Sequence, residues 1–210
     1  MTILALDSTS DSLTRRASEY REANVYPHFT ALGHAVTRFT AIPPPSLRPL
    51  VKAEATKAGL KYLTGVGHGD SNIAFTGNSM DEIFGVGGYD PEEVRGKIVH
   101  FLSCGIGDTL GRDLVKNGCT AFFGYKENFA LLDDVADIFF ECDSEIDRAF
   151  AEGEDAQAVF DRVIGVFDRH IRELRAQKKN YQASWLRFNR RSLCAPSKDV
   201  AWGDPQAKLV

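Results

Sequence analysis

Two stretches of this sequence place a reactive side chain directly behind an apolar run. "LKYLTGVGHGD", residues 60–70, delivers His68, and "KIVHFLSCGIGD", residues 97–108, delivers Cys104. An imidazole and a thiol are the pair a cysteine hydrolase uses, one to move the proton and one to attack. Both runs read as buried strands, and in open parallel sheets ligands bind beyond the carboxyl ends of the strands. Neighbouring strands lie about 5 Å apart, so side chains leaving two adjacent ends meet over one cleft. Gly69 permits a close backbone approach, while Gly105 and Gly107 let the chain turn sharply toward a helix headed by Asp108 and Thr109. Backbone N–H groups at such turns bind an oxyanion and favour a thiolate. Taken singly, each residue has a plainer reading. A strand-end cysteine is more often packing, and a lone histidine is more often surface or satisfied core.

The remaining histidines and cysteines do not compete for the role. His100 lies in the same run as Cys104, about 13 Å away along an extended strand, which excludes it as the partner. It reads as a buried or half-buried strand residue. His28, His34 and His170 fall in helical or loop contexts without a reactive neighbour. Cys142 belongs to an apolar helical stripe, Cys119 opens a strand at the far end of the sheet and reads as core, and Cys194 carries no reading. Widely spaced cysteines without a CxxC pair fit free thiols in a reduced compartment better than a disulfide framework. No Cys or His pair has zinc-ligand spacing, so no metal is expected.

The elements that must position these residues alternate along the chain. "TILAL" is a strand, followed by a helix from about Asp11 to Gly33 broken near Pro27, then "AVTRFTAI" and a helix around 46–58. "PPPS" at 43–46 reads as a connection. "LKYLTGV", "KIVHFLS", a helix around 109–117 and "TAFFGY" continue the pattern, with "NIAFTGN" and "DEIFGVGG" forming a small hairpin off the main sheet. After Tyr125 come two amphipathic helices, one carrying Val135, Ile138, Phe139, Cys142 and Ile146, the other Val159, Val163, Phe167, Ile171 and Leu174 at three- and four-residue steps. "WLRFNRRSL" reads as a final strand before the tail "VAWGDPQAKLV". The alternation predicts one α/β domain over residues 1–210, a mainly parallel sheet covered by helices on both faces.

Composition narrows the partners. The chain has 210 residues, 43% hydrophobic and 26% charged, with a formal net charge of −4, the profile of an ordinary globular domain. The charge and the absence of a Lys/Arg track argue against nucleic acid. No apolar run approaches the ~20 residues of a membrane span, and no leader pattern is evident. A cytoplasmic protein is the expectation.

The strand ending in His-Gly ("YLTGVGHG") followed by one ending in Ser-Cys ("IVHFLSCGIG") resembles the caspase-like cysteine peptidases. "LGRDLVKNGCTAFFGYKENF" and the closing "VAWGDPQAKL" are similar to segments of the gingipain and CHAT-domain branch of that clan. The resemblance runs from about residue 1 to 209. It implies a three-layer caspase–hemoglobinase fold and peptide-bond hydrolysis through an acyl-enzyme, without a cofactor. It also implies Cys104 as nucleophile, His68 as general acid/base, and an oxyanion hole from the backbone of Gly69 and Cys104. Two residues before the cysteine, where basic-specific members often carry an acid, stands Leu102.

Two other readings remain open: a non-catalytic interaction module on the same fold, and a cysteine hydrolase of non-peptide amides or esters. For an enzyme, peptide or protein substrates are expected, with an activating protein partner conceivable. Asp70, Asp108, Glu127, Asp133 and Asp134 lie on loops expected near the cleft. An acidic pocket there selects Arg or Lys through a charge-assisted pair, unless these acids are solvated or cap helices. Cys104 is further expected to be held largely as thiolate by the turn and His68.

Overall fold

The computed structural model describes residues 1–40, 47–75, 82–197 and 200–209. The first strand, β1 (Thr2–Asp7), is followed by α1 (Ser12–Asn24) and the short α2 (Tyr26–Ala31), then by β2 (Ala35–Thr40), α3 (Leu47–Ala55) and β3 (Leu60–Val66). A hairpin of β4 (Ile73–Phe75) and β5 (Glu82–Gly85) precedes β6 (Ile98–Leu102), α4 (Leu110–Lys116) and β7 (Ala121–Tyr125). The chain closes with α5 (Ala136–Ala151), α6 (Ala156–Ala176), α7 (Asn180–Ser192) and the two-residue β8 (Leu193–Cys194).

The main sheet has the order β2-β1-β3-β6-β7-β8, and β4 and β5 form a separate two-stranded sheet, as the sequence pattern predicted. All pairings from β2 to β7 are parallel, and only β8 runs antiparallel to its neighbour. Successive strand residues serve opposite faces, the period-2 rule of a pleated sheet. Ile3, Ala5, Tyr62, Ile98 and Phe123 pack with α2, α5, α6 and α7 on one side. Leu4, Leu6, Leu63, Val99 and Phe122 pack with α3 and α4 on the other. Burial on both faces is why these strands read as continuous apolar runs rather than alternating ones. Among the described residues, no helix is long and apolar enough to cross a membrane.

Three local expectations are refined. The helical break falls at Val25, which ends α1, while Pro27 sits in the first turn of α2, where its missing N–H costs nothing. The "PPPS" connection lies outside the described residues. "WLRFNRRSL" is not a strand: it is most of helix α7, so three helices follow Tyr125, and only Leu193 and Cys194 are extended. The buried positions of α7 are Ala183, Leu186, Asn189 and Ser192, a three-residue step. Trp185 and Phe188, which made the segment look strand-like, are 36% and 37% exposed and form edge-on ring contacts along the helix surface. The tail docks back on the sheet, with Asp204 N–H bonding Thr120 O and Trp202 Nε1–H bonding Gly107 O at 2.8 Å.

Candidate active site

The strand order reverses between β1 and β3, since the chain leaves β1 for β2 on one side and returns to β3 on the other. Loops diverge at such a point and open a crevice beyond the carboxyl ends. β3 and β6 are adjacent and parallel, with Val66 opposite Leu102. His68 and Cys104, each two residues further on, therefore leave neighbouring strand ends, and both line one cavity. No direct hydrogen bond joins imidazole and thiol.

Glycine sets the closeness of the two loops. A Cβ on Gly69 would lie 2.4 Å from Ser103 Oγ and 3.0 Å from the Cys104 carbonyl oxygen, so any other residue would push the turns apart. Gly105 has φ +72°, and a Cβ there would meet the Asp70–Ser71 backbone at 3.2 Å. That combination of positive φ and backbone contact suits only glycine. The turn is tied down on its other side, where Gly105 N–H bonds Glu127 O and Gly107 N–H bonds Tyr125 O. The N–H groups of Gly69 and Cys104, by contrast, have no partner among the described residues.

A third residue joins from the end of β1. Asp11 caps α1, its Oδ1 accepting from the backbone N–H groups of Leu13 and Thr14 at 2.8 and 2.9 Å. Its Oδ2 bonds His68 Nε2. The cap fixes the carboxylate, and the carboxylate fixes the ring, which leaves Nδ1 as the nitrogen able to take a proton. Burial acts to raise the Asp11 pKa, but the bonds from His68 and Thr14 outweigh it and hold the carboxyl below its ordinary range. Sequence reasoning read Asp11 only as a helix start. The signal available was an N-cap acid immediately after the strand that flanks the switch point.

Cys104 is half-buried, and burial pushes its thiol up, opposed in part by a hydrogen bond from the Phe129 backbone. Burial thus works against the expected resting thiolate. Cys119, Cys142 and Cys194 are fully buried, with burial raising Cys119 and Cys194 to about 12 and Cys142 well above its ordinary value.

The cavity is lined by Leu13, Thr14 and Ala17 of α1 and by the ends of β3 and β6, including Leu102. Phe129, Leu131 and Phe140 supply the remaining wall. The loop carrying Phe129 and Leu131 is fastened from below by the buried Asn189 of α7. Its side chain accepts from Ala130 N–H and donates to Ala130 O, both at 2.8 Å. Asn189 was invisible to sequence reasoning because α7 had been read as a strand. Asp70, Asp108 and Glu127 do not line the cavity. Asp70 accepts from Asn72 and Ile73 N–H in its own turn, and Asp108 and Glu127 are exposed.

A buried charged cluster that the sequence did not disclose joins β3, β6, α1 and α5. His100 is 0% exposed, its Nε2 facing Asp143 and its Nδ1 facing Asp147, each at 3.2 Å. Asp147 also binds Arg21 at 2.8 Å and accepts from Tyr62 and Thr64 hydroxyls. Arg21 in turn reaches Asp7, whose carboxyl is raised by burial. The available signal was two aspartates four residues apart beside the apolar stripe of α5. No protein-family model and no curated protein matches the sequence.

Proposed function

We propose that the protein is a caspase-like cysteine endopeptidase that cleaves peptide bonds through an acyl-enzyme. The observation that carries this reading is the convergence of Asp11, His68 and Cys104 from three neighbouring strand ends on the switch-point crevice. Burial favours the protonated thiol at rest, so His68 acts first as a base. Nδ1 takes the Cys104 proton as the sulfur bonds to the scissile carbonyl carbon, and the oxyanion is held by the N–H groups of Gly69 and Cys104. The C–N bond then breaks, and the imidazolium gives its proton to the departing amine. A water, deprotonated by the same nitrogen, attacks the thioester, and the released sulfur recovers its proton. Asp11 keeps the ring oriented and offsets the charge that it carries midway.

The test is hydrolysis of a peptide library by the wild type beside Cys104→Ala. Cleavage that vanishes in the variant, with unchanged thermal melting, supports the reading. A second reading, a non-catalytic interaction module, is favoured by the raised thiol pKa and the missing imidazole–thiol bond. No Cys104-dependent cleavage of any library member ends the peptidase reading.

A further inference from the structure

We infer that the cavity beside Cys104 receives a branched aliphatic side chain (Val, Leu or Ile) of the residue whose carbonyl is attacked. The inference rests on the peptidase reading above and names its substrate class. Three features of the cavity carry it.

The first is chemistry. Ala17, Val66, Leu102, Phe129, Leu131 and Phe140 supply most of the walls, Thr14, His68 and Ser103 add polar atoms beside Cys104, and among the described residues no Asp, Glu, Lys or Arg lines the cavity. An Arg or Lys entering it would lose its hydration without meeting a free counter-charge, since the nearby Asp11 carboxylate is committed to His68 and the α1 cap, and an Asp would fare no better. The acids once expected to select a basic residue stand elsewhere, held in their own turns or in solvent.

The second is size. The cavity is small, with about 50 Å³ in which the centre of a water molecule can stand, more room than an alanine methyl takes up.

The third is rigidity. Phe129 stacks edge-on against Tyr125 at 4.7 Å and against Phe139 at 6.3 Å, and Phe140 meets Tyr20 at 5.6 Å. With Asn189 fixing Ala130 between Phe129 and Leu131, the wall has little freedom to open for a larger group. A preformed apolar pocket discriminates by fit, about tenfold or more for each methylene gained or lost.

The experiment uses fluorogenic peptides that differ only in the residue before the cleaved bond: Leu, Val, Ala, Arg, Lys and Asp. Cys104-dependent kcat/KM for Leu or Val at least about tenfold above Ala, and further above the charged residues, is the expected result. Cys104-dependent cleavage that favours Arg, Lys or Asp overturns the inference and leaves the peptidase reading standing. Absence of Cys104-dependent cleavage across the panel ends the reading, and the inference with it. Leu131→Asp places a carboxylate in the wall and should move preference from Leu toward Arg and Lys. Leu13→Asp does the same at the rim, on a side chain already 44% exposed, and covers the case in which the first variant does not fold. If both fold and neither changes the preference, the cavity is not the subsite.

Discussion

His68, just beyond β3, and His100, within the adjacent β6, both stand against aspartate carboxylates, yet their settings differ. His100 lies in the middle of β6 with both ring nitrogens committed and no exposure. Burial acts to lower its pKa, but Asp143 and Asp147 outweigh it and raise it to about 9. Its charge is part of a buried network with Arg21, Tyr62, Thr64 and Tyr125. His68 lies two residues beyond the end of β3, with its side chain 43% exposed, one nitrogen held by Asp11 and the other left over. The difference teaches that proximity of His and Asp decides nothing by itself. Where both ring nitrogens are committed inside the core, the pair fixes structure; where one nitrogen is spare at a cleft, the pair is available for chemistry.

Substitutions at the two sites should separate cleanly. Cys104→Ala or His68→Ala should lower peptide hydrolysis by about 10⁴-fold or more and shift the melting temperature by no more than about 2 °C. A large loss of stability in either would show that the open site, too, is structural. Asp147→Ala should cost about 3–5 kcal/mol in urea denaturation, because Arg21 and His100 then keep buried charges without their shared counter-ion. Activity per folded molecule should survive it, and selective loss of activity would break the division between the sites.

The pH dependence of stability tests the buried cluster without a mutation. A histidine raised from 6.5 to about 9 contributes fully below about pH 6.5 and loses that contribution as the pH rises through 9. Asp147, held well below the ordinary carboxylate range by Arg21 and His100 despite burial, contributes above about pH 4, and that is lost as the medium becomes acidic. The unfolding free energy should therefore fall by about a few kcal/mol on the alkaline side, and His100→Gln should flatten that limb.

Asp11→Asn sharpens the comparison from the open side. Asparagine caps a helix about as well as aspartate, so stability should hold within about 0.5 kcal/mol, while hydrolysis falls by about 10²-fold as the ring loses its anionic partner. Equal loss of both would make Asp11 a cap and nothing more. The smallest effect is chemical labelling. Iodoacetamide at pH 8 should modify half-buried Cys104 before Cys119, Cys142 or Cys194, and mass mapping would detect any other order.

The sequence alone determined the β-α alternation, the hairpin, the burial of Cys119 and Cys142, and the delivery of His68 and Cys104 by two strand ends. These follow from local periodicity and from glycine placement, which nearby residues encode. Periodicity misled once, at α7, because exposed Trp185 and Phe188 added apolar residues on the wrong face. Only the tertiary structure decided which charges meet. Asp11 reaches His68 across 57 residues of chain, Asp147 lies 47 residues from His100, and Asn189 reaches Ala130 across 59. It also decided that the cavity is apolar, since Leu102, Phe129 and Phe140 come from three separate elements. The physical reason is that a parallel sheet brings together segments far apart in sequence, and its register, rather than residue spacing, sets which side chains share a space.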